Sequence, residues 1–101
     1  MESRIEGILR VLKTYHPERV ILFGSYARGS YDRYSDLDLV IIKRTRRRFL
    51  DRIKEVIRII QPRFGVDILV YTPGELKRMV RSGNPFIQRV LEEGKILYEK
   101  R

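Results

Sequence analysis

Three aspartates and a glycine-serine pair stand where this sequence could do chemistry. Gly24-Ser25 follows the apolar run Val20 to Phe23, and Asp36 and Asp38 sit at the head of the run Leu39 to Ile42. Residues i and i+2 of a strand project from one face, so Asp36 and Asp38 offer two carboxylates roughly 7 Å apart along the chain. Asp67 is the one acid in Val66–Tyr71, one residue into that segment, as Asp38 is into Leu37–Ile42. If the two strands pair with those ends adjacent, three carboxylates converge. Carboxylates that close raise one another's pKa unless a cation joins them. An all-oxygen set suits Mg²⁺, which takes few protein ligands and fills its shell with substrate phosphates and water. Gly24 lets backbone approach a phosphate, and Ser25 and the N–H groups after it can donate to one. Arg28 is either a phosphate clamp or a structural arginine. The chemistry such a set serves is metal-dependent phosphoryl or nucleotidyl transfer. Taken singly, the acids have plainer readings as a turn residue, a bulge and an arginine partner. Three of them on two apolar strands favour a site, because aspartate is depleted in strands and costly to bury.

Those residues need elements to hold them. Ile5, Ile8, Leu9, Leu12 and Tyr15 recur at helical spacing, so Ser3 to Tyr15 reads as an amphipathic helix with Ser3 as N-cap and Glu6 closing a capping box. His16-Pro17 ends it, and His16 reads as structural. Val20–Phe23 is a strand buried on both faces. A short helix starts at Ser25 and runs to Gly29, and Ser30–Ser35 is loop. In the second strand Asp36, Asp38, Val40 and Ile42 share one face, and Leu37, Leu39 and Ile41 share the other. Phe49, Leu50, Ile53, Val56, Ile57 and Ile60 trace a helical stripe. In the third strand Asp67, Leu69 and Tyr71 point one way. Thr72, Pro73 and Glu75 form a helix start as N-cap, N1 and N3. Asn84-Pro85 opens a last helix that Gly94 stops, and Lys95–Tyr98 adds an edge strand. Helices and strands in this order imply an α/β (α+β) domain, a small sheet backed by helices, over residues 1–101.

The totals narrow the partners. A net charge of +9, from 22 Lys and Arg against 13 Asp and Glu, favours anionic ones: nucleotides, nucleic acid or an acidic protein. No cysteine and one histidine exclude disulfides and make a zinc site implausible. No apolar run is long enough to span a membrane. The opening Met1-Glu2-Ser3-Arg4 reads as helix rather than signal peptide, so a cytoplasmic protein is expected. Lys43–Arg48 is a basic run without interleaved aromatics. It is a solvated loop, or a contact for RNA or an acidic partner surface. Tyr26, Tyr31 and Tyr34 flank the acids, for stacking on a base, for an interface or for loop packing.

Gly24-Ser25, ten intervening residues and Asp36-Leu37-Asp38 resemble the signature of the DNA polymerase beta-like nucleotidyltransferase superfamily. The fuller string, Gly24 to Ser30 and then Ser35 to Val40, is similar to its small branch, the minimal nucleotidyltransferases, and the resemblance covers nearly the whole chain. It implies a small mixed sheet flanked by helices. It implies that Asp36, Asp38 and Asp67 bind two Mg²⁺ and that Gly24 and Ser25 hold the phosphates of ATP. It also implies a partner, a helical HEPN-type toxin with ribonuclease activity, for which the nucleotidyltransferase is the antitoxin and to whose tyrosine it transfers AMP. Larger members carry further domains for the acceptor, so here the acceptor is expected on a partner or a second copy. Two other readings stay open: an antitoxin that neutralises by binding alone, and nucleotidyl transfer to RNA.

Overall fold

The computed structural model describes residues 3–101. Met1 and Glu2, where the reading of a helical start also falls, lie outside the described residues. The elements are α1 (Ser3–Leu12), a 3₁₀ turn (Lys13–Tyr15), β1 (Arg19–Phe23), α2 (Gly24–Arg28), β2 (Leu37–Ile42), α3 (Phe49–Ile60), β3 (Val66–Tyr71), α4 (Pro73–Arg81), α5 (Pro85–Glu93) and β4 (Lys95–Glu99). The order along the chain is the expected one. Ser3 stands inside α1 rather than before it. The first helix tightens to 3₁₀ after Leu12 and stops at His16. Proline disfavours the right-handed helical region for the residue before it. His16 takes the left-handed region at φ 59° and donates its N–H to the Lys13 carbonyl. Its role is in the backbone, as expected.

Four strands form one sheet in the order β3-β2-β1-β4. β1 runs antiparallel to β2 and to β4, and β2 runs parallel to β3. The sheet is therefore mixed. A parallel pair needs a crossover, and α3 provides it. Alternation along β2 sends its residues to two different cores. Leu37, Leu39 and Ile41 face α1 and α3, packing with Ile5, Ile8, Leu9, Leu12 and Val56. Val40 and Ile42 face the other way, with Ile21, Val90 and the half-buried Leu76. Helices thus cover both faces, and β1 is buried on both, as its unbroken apolar run predicts.

The stripe on α3 differs from its expected line. Leu50 is 66% exposed, while Arg52 is buried. The helix turns its Phe49-Arg52-Val56 edge inward, and the arginine is tolerated there because its donors find fixed acceptors. It donates to the carbonyls of Arg47 (2.8 Å) and Val70 (3.1 Å) and to both carboxylate oxygens of Glu75 (2.7 and 3.2 Å). Glu75 in turn accepts from the Thr72 N–H, and Thr72 accepts from the Glu75 N–H, forming a capping box at the helix start that the sequence predicts for α4. One buried guanidinium thus ties α3, the end of β3 and the start of α4 together.

Candidate active site

β1 delivers the chain to Gly24. There the backbone turns at φ +72°, a region open to glycine and strained for other residues, and enters the five-residue α2. A second constraint acts at the same position: a Cβ on Gly24 would fall on Asp38 Oδ2. The turn and the acid are in contact, so glycine is needed for conformation and for room. Ser25 opens α2 half-buried, and its hydroxyl makes no hydrogen bond among the described residues. Gly29 closes α2 at φ 77°, returning its N–H to the Ser25 carbonyl.

Parallel pairing settles where the acids stand. Asp38 and Asp67 are register partners across β2 and β3, on the face shared with Val40 and Leu69. The Asp38 carboxyl is pushed up to about 6, first by burial, then by the charge and hydrogen bonding of Asp67, then by the charge of Asp36, while Arg28 opposes the shift. That is the behaviour of like charges held together. Asp36 lies one residue before β2 and is exposed, as is Asp67. Its carboxylate packs against Gly65, where a Cβ would overlap Asp36 Oδ1. The structure therefore brings Asp38, Asp67, Gly24 and Arg28 into one neighbourhood, with Asp36 at its rim. Among the described residues no three acid or imidazole side chains already close on a common metal position. The donor set is nonetheless all carboxylate oxygen, the chemistry a hard cation takes.

The basic run lies at the opposite end of β2 from the acids. Lys43 donates to the Tyr15 carbonyl and sits 4.5 Å above the Tyr15 ring. Arg44 pairs with Glu18 at 3.3 Å, and Arg47 with Glu55 at 3.0 Å. The side chains of Arg46 and Arg48 make no hydrogen bond or ion pair among the described residues. Tyr26 is buried and stacks on Tyr31 with centroids 4.2 Å apart, which is loop packing. Tyr34 is exposed beneath the Arg33 guanidinium.

Two features escaped sequence reasoning. Arg52 was hidden as one cation among many, although it falls on the helical stripe between Phe49 and Val56. The other is a small cavity beside Gly24, lined by Phe23, Arg28, Phe86, Arg89 and Glu93, whose walls come from three separate elements.

Residues 5–98 match the nucleotidyltransferase domain family. Two proteins of Methanocaldococcus jannaschii, both provisionally named protein adenylyltransferases, are similar to the chain. MJ1305 is 37% identical over 80% of this chain and 58% of its own length. MJ0604 is 32% identical over 96% of this chain and 97% of its own. The chain thus spans little more than half of one relative and nearly all of the other. A crystal structure described as a toxin-antitoxin with AMP-PNP superposes with a TM-score of 0.63 at 21% identity, covering 99% of this chain and 76% of that one. At that identity the likeness is one of fold. No helix among the described residues is long and apolar enough to cross a membrane.

Proposed function

Because the chain belongs to the nucleotidyltransferase domain family, we propose that residues 1–101 act as one minimal Mg²⁺-dependent nucleotidyltransferase. In this reading it transfers AMP from ATP to a tyrosine of a helical HEPN-type partner, and so serves as that toxin's antitoxin. The observation that carries the reading is the register pairing of Asp38 with Asp67 against the Gly24 turn. Like charges so placed weaken the fold unless a ligand needs them. The adenylyltransferase names of the relatives and the fold shared with a toxin-antitoxin structure support the choice of acceptor and partner.

Each residue has a task in that reaction. Asp36, Asp38 and Asp67 would hold Mg²⁺, which when bound offsets the negative charge of the triphosphate and of the developing transition state. Gly24 and the N–H groups after it seat the phosphates, the Ser25 hydroxyl donates to one of them, and Arg28 adds a positive charge beside Asp38. A tyrosine hydroxyl forms its bond to the α-phosphorus as the bond to the bridging oxygen of the β-phosphate breaks, and pyrophosphate leaves. Asp67, exposed on the edge strand β3, accepts the hydroxyl proton.

Labelled ATP, Mg²⁺, the chain and its helical partner test the scheme together. Label is expected on the partner with the native chain and is lost with the double variant Asp36→Asn/Asp38→Asn. Equal labelling by the variant overturns it. A variant that no longer labels but still neutralises the toxin assigns neutralisation to binding.

A further inference from the structure

The row that crosses the sheet through Asp67 and Asp38 has a third member. Phe23 of β1 is the register partner of Asp38 on the side away from Asp67. It belongs to the same face of the sheet, packing on the cluster of Ile21, Val40 and Val90. Its ring meets Phe86 of α5 edge to face, with centroids 5.6 Å apart and planes at 84°. Beside this pair opens a cavity of about 160 Å³. Gly24 belongs to its wall, so the cavity begins where the phosphate turn ends. Arg28, Arg89 and Glu93 close the remaining sides. Arg89 and Glu93 are exposed on α5 and form no ion pair among the described residues.

A triphosphate laid over Gly24 and the acids leaves its nucleoside two directions along that row. Toward β3 the sheet ends, because β3 is an edge strand. Toward β1, one strand spacing of about 4.8 Å from Asp38, lie two aromatic rings and a guanidinium. An aromatic face and a guanidinium plane are the surfaces on which a nucleobase stacks. A carboxylate only accepts hydrogen bonds. At the edge of a base, Glu93 therefore welcomes an exocyclic amino group and repels a carbonyl oxygen.

Resting on the reading of Gly24 and the aspartates as the phosphate site, we propose that the Phe23–Phe86 cavity holds the nucleoside half of the substrate. The base stacks against Phe86 and Arg89, and Glu93 selects the amino edge of adenine over the carbonyl edge of guanine. Nucleotide choice then lies on α5, far along the chain from the Gly24 turn.

Calorimetric titration of the chain with ATP, GTP and inorganic tripolyphosphate, with Mg²⁺ present, tests this. Phe86→Ala is expected to weaken ATP binding by about tenfold or more, the scale of a lost base stack, and to leave tripolyphosphate binding unchanged. Glu93→Gln is expected to reduce the ATP-over-GTP preference at least about fivefold, since an amide can serve either edge. Glu93 is exposed on α5, so its variant should melt with the native chain, whereas Phe86 packs on Phe23 and its variant should melt lower. If Phe86→Ala does not fold, Glu93→Gln carries the test alone. ATP bound as tightly and as selectively by the variants, with tripolyphosphate still binding, overturns the assignment while sparing the phosphate site. A native chain that binds neither ligand overturns both.

Discussion

The two ends of the β2–β3 pair treat charge in opposite ways. At the ends of the strands, Arg52 and Glu75 form a two-point pair, with the leftover donors spent on the Val70 and Arg47 carbonyls. Charge there is matched, with Arg52 buried, Glu75 partly exposed and four hydrogen bonds drawn from the guanidinium, an arrangement in which losing one partner is costly. At the starts of the strands, Asp38 and Asp67 face each other as like charges, and Arg28 offsets only part of their repulsion. Arg52 of α3 and Glu75 of α4 close over the far end of β3, whereas Asp38 and Asp67 stand on β2 and β3 themselves. The difference teaches where to look for function: one end is arranged for the folded chain itself, and the other carries like charges that the proposed Mg²⁺ would offset.

Breaking each end in turn separates the two roles. The largest effect is expected from Asp36→Asn/Asp38→Asn, which should lower nucleotidyl transfer by at least about a thousandfold, the loss of several kcal/mol of charge stabilisation. The same variant should melt no lower than the native chain, because it removes repulsion; label transfer and thermal melts on one preparation check both halves. Arg52→Ala should do the reverse in kind. It leaves Glu75 without its partner and should cost about 3 kcal/mol in urea denaturation, with the residual folded fraction still binding tripolyphosphate. Gly24→Ala touches both ends of the comparison. Left-handed backbone strain and the overlap with Asp38 should cost about 1–3 kcal/mol, and phosphate binding should weaken with it. Calorimetry and denaturation together read the two losses.

The smallest effect sharpens the contrast by its sign. The Glu75 carboxyl is held below its ordinary 4.5, chiefly by the Arg52 hydrogen bond. Its contribution to stability is therefore full above the ordinary value and is lost as pH falls through the lowered one. Asp38 runs the other way, raised from 3.8 to about 6. The fold favours its protonated form, so that contribution is full below the ordinary value and fades as pH rises through about 6. Melting curves without divalent ions should show a decline between about pH 4 and pH 6 that Asp38→Asn removes. Glu75→Gln should remove the loss at more acid pH and leave that decline in place.

Much of this was legible in the residues. The strand bounds of β2 and β3, the start of α4 and the Gly24 turn follow from local signals: apolar runs, a Thr-Pro-Gly-Glu start, a glycine after a strand. The placing of Asp38 and Asp67 at one position of each segment was also visible, whereas their meeting was implied only by the family resemblance. That depends on β2 and β3 pairing in parallel with zero offset, a long-range choice no local pattern encodes. Asp36, grouped with Asp38 on one face, lies just before the expected start of β2 at Leu37, where pairing begins with the Leu37 N–H donating to the Gly65 carbonyl. The Leu50 and Arg52 exchange was hidden for another reason. Hydrophobic patterning ranks side chains by polarity, and it misses an arginine whose partners, Val70, Arg47 and Glu75, are assembled only by the fold.

The zero offset between β2 and β3 has a mechanical consequence. Each strand has six residues, and side chains alternate. A slip of one residue would set Asp38 beside Val66 or Ile68 and turn Asp67 into the apolar layer under α3. The lattice of the sheet thus acts as a gauge with a two-position scale, and the site exists at only one of them. Arg52, bonded to the far end of β3, is the detent that holds the gauge at that mark.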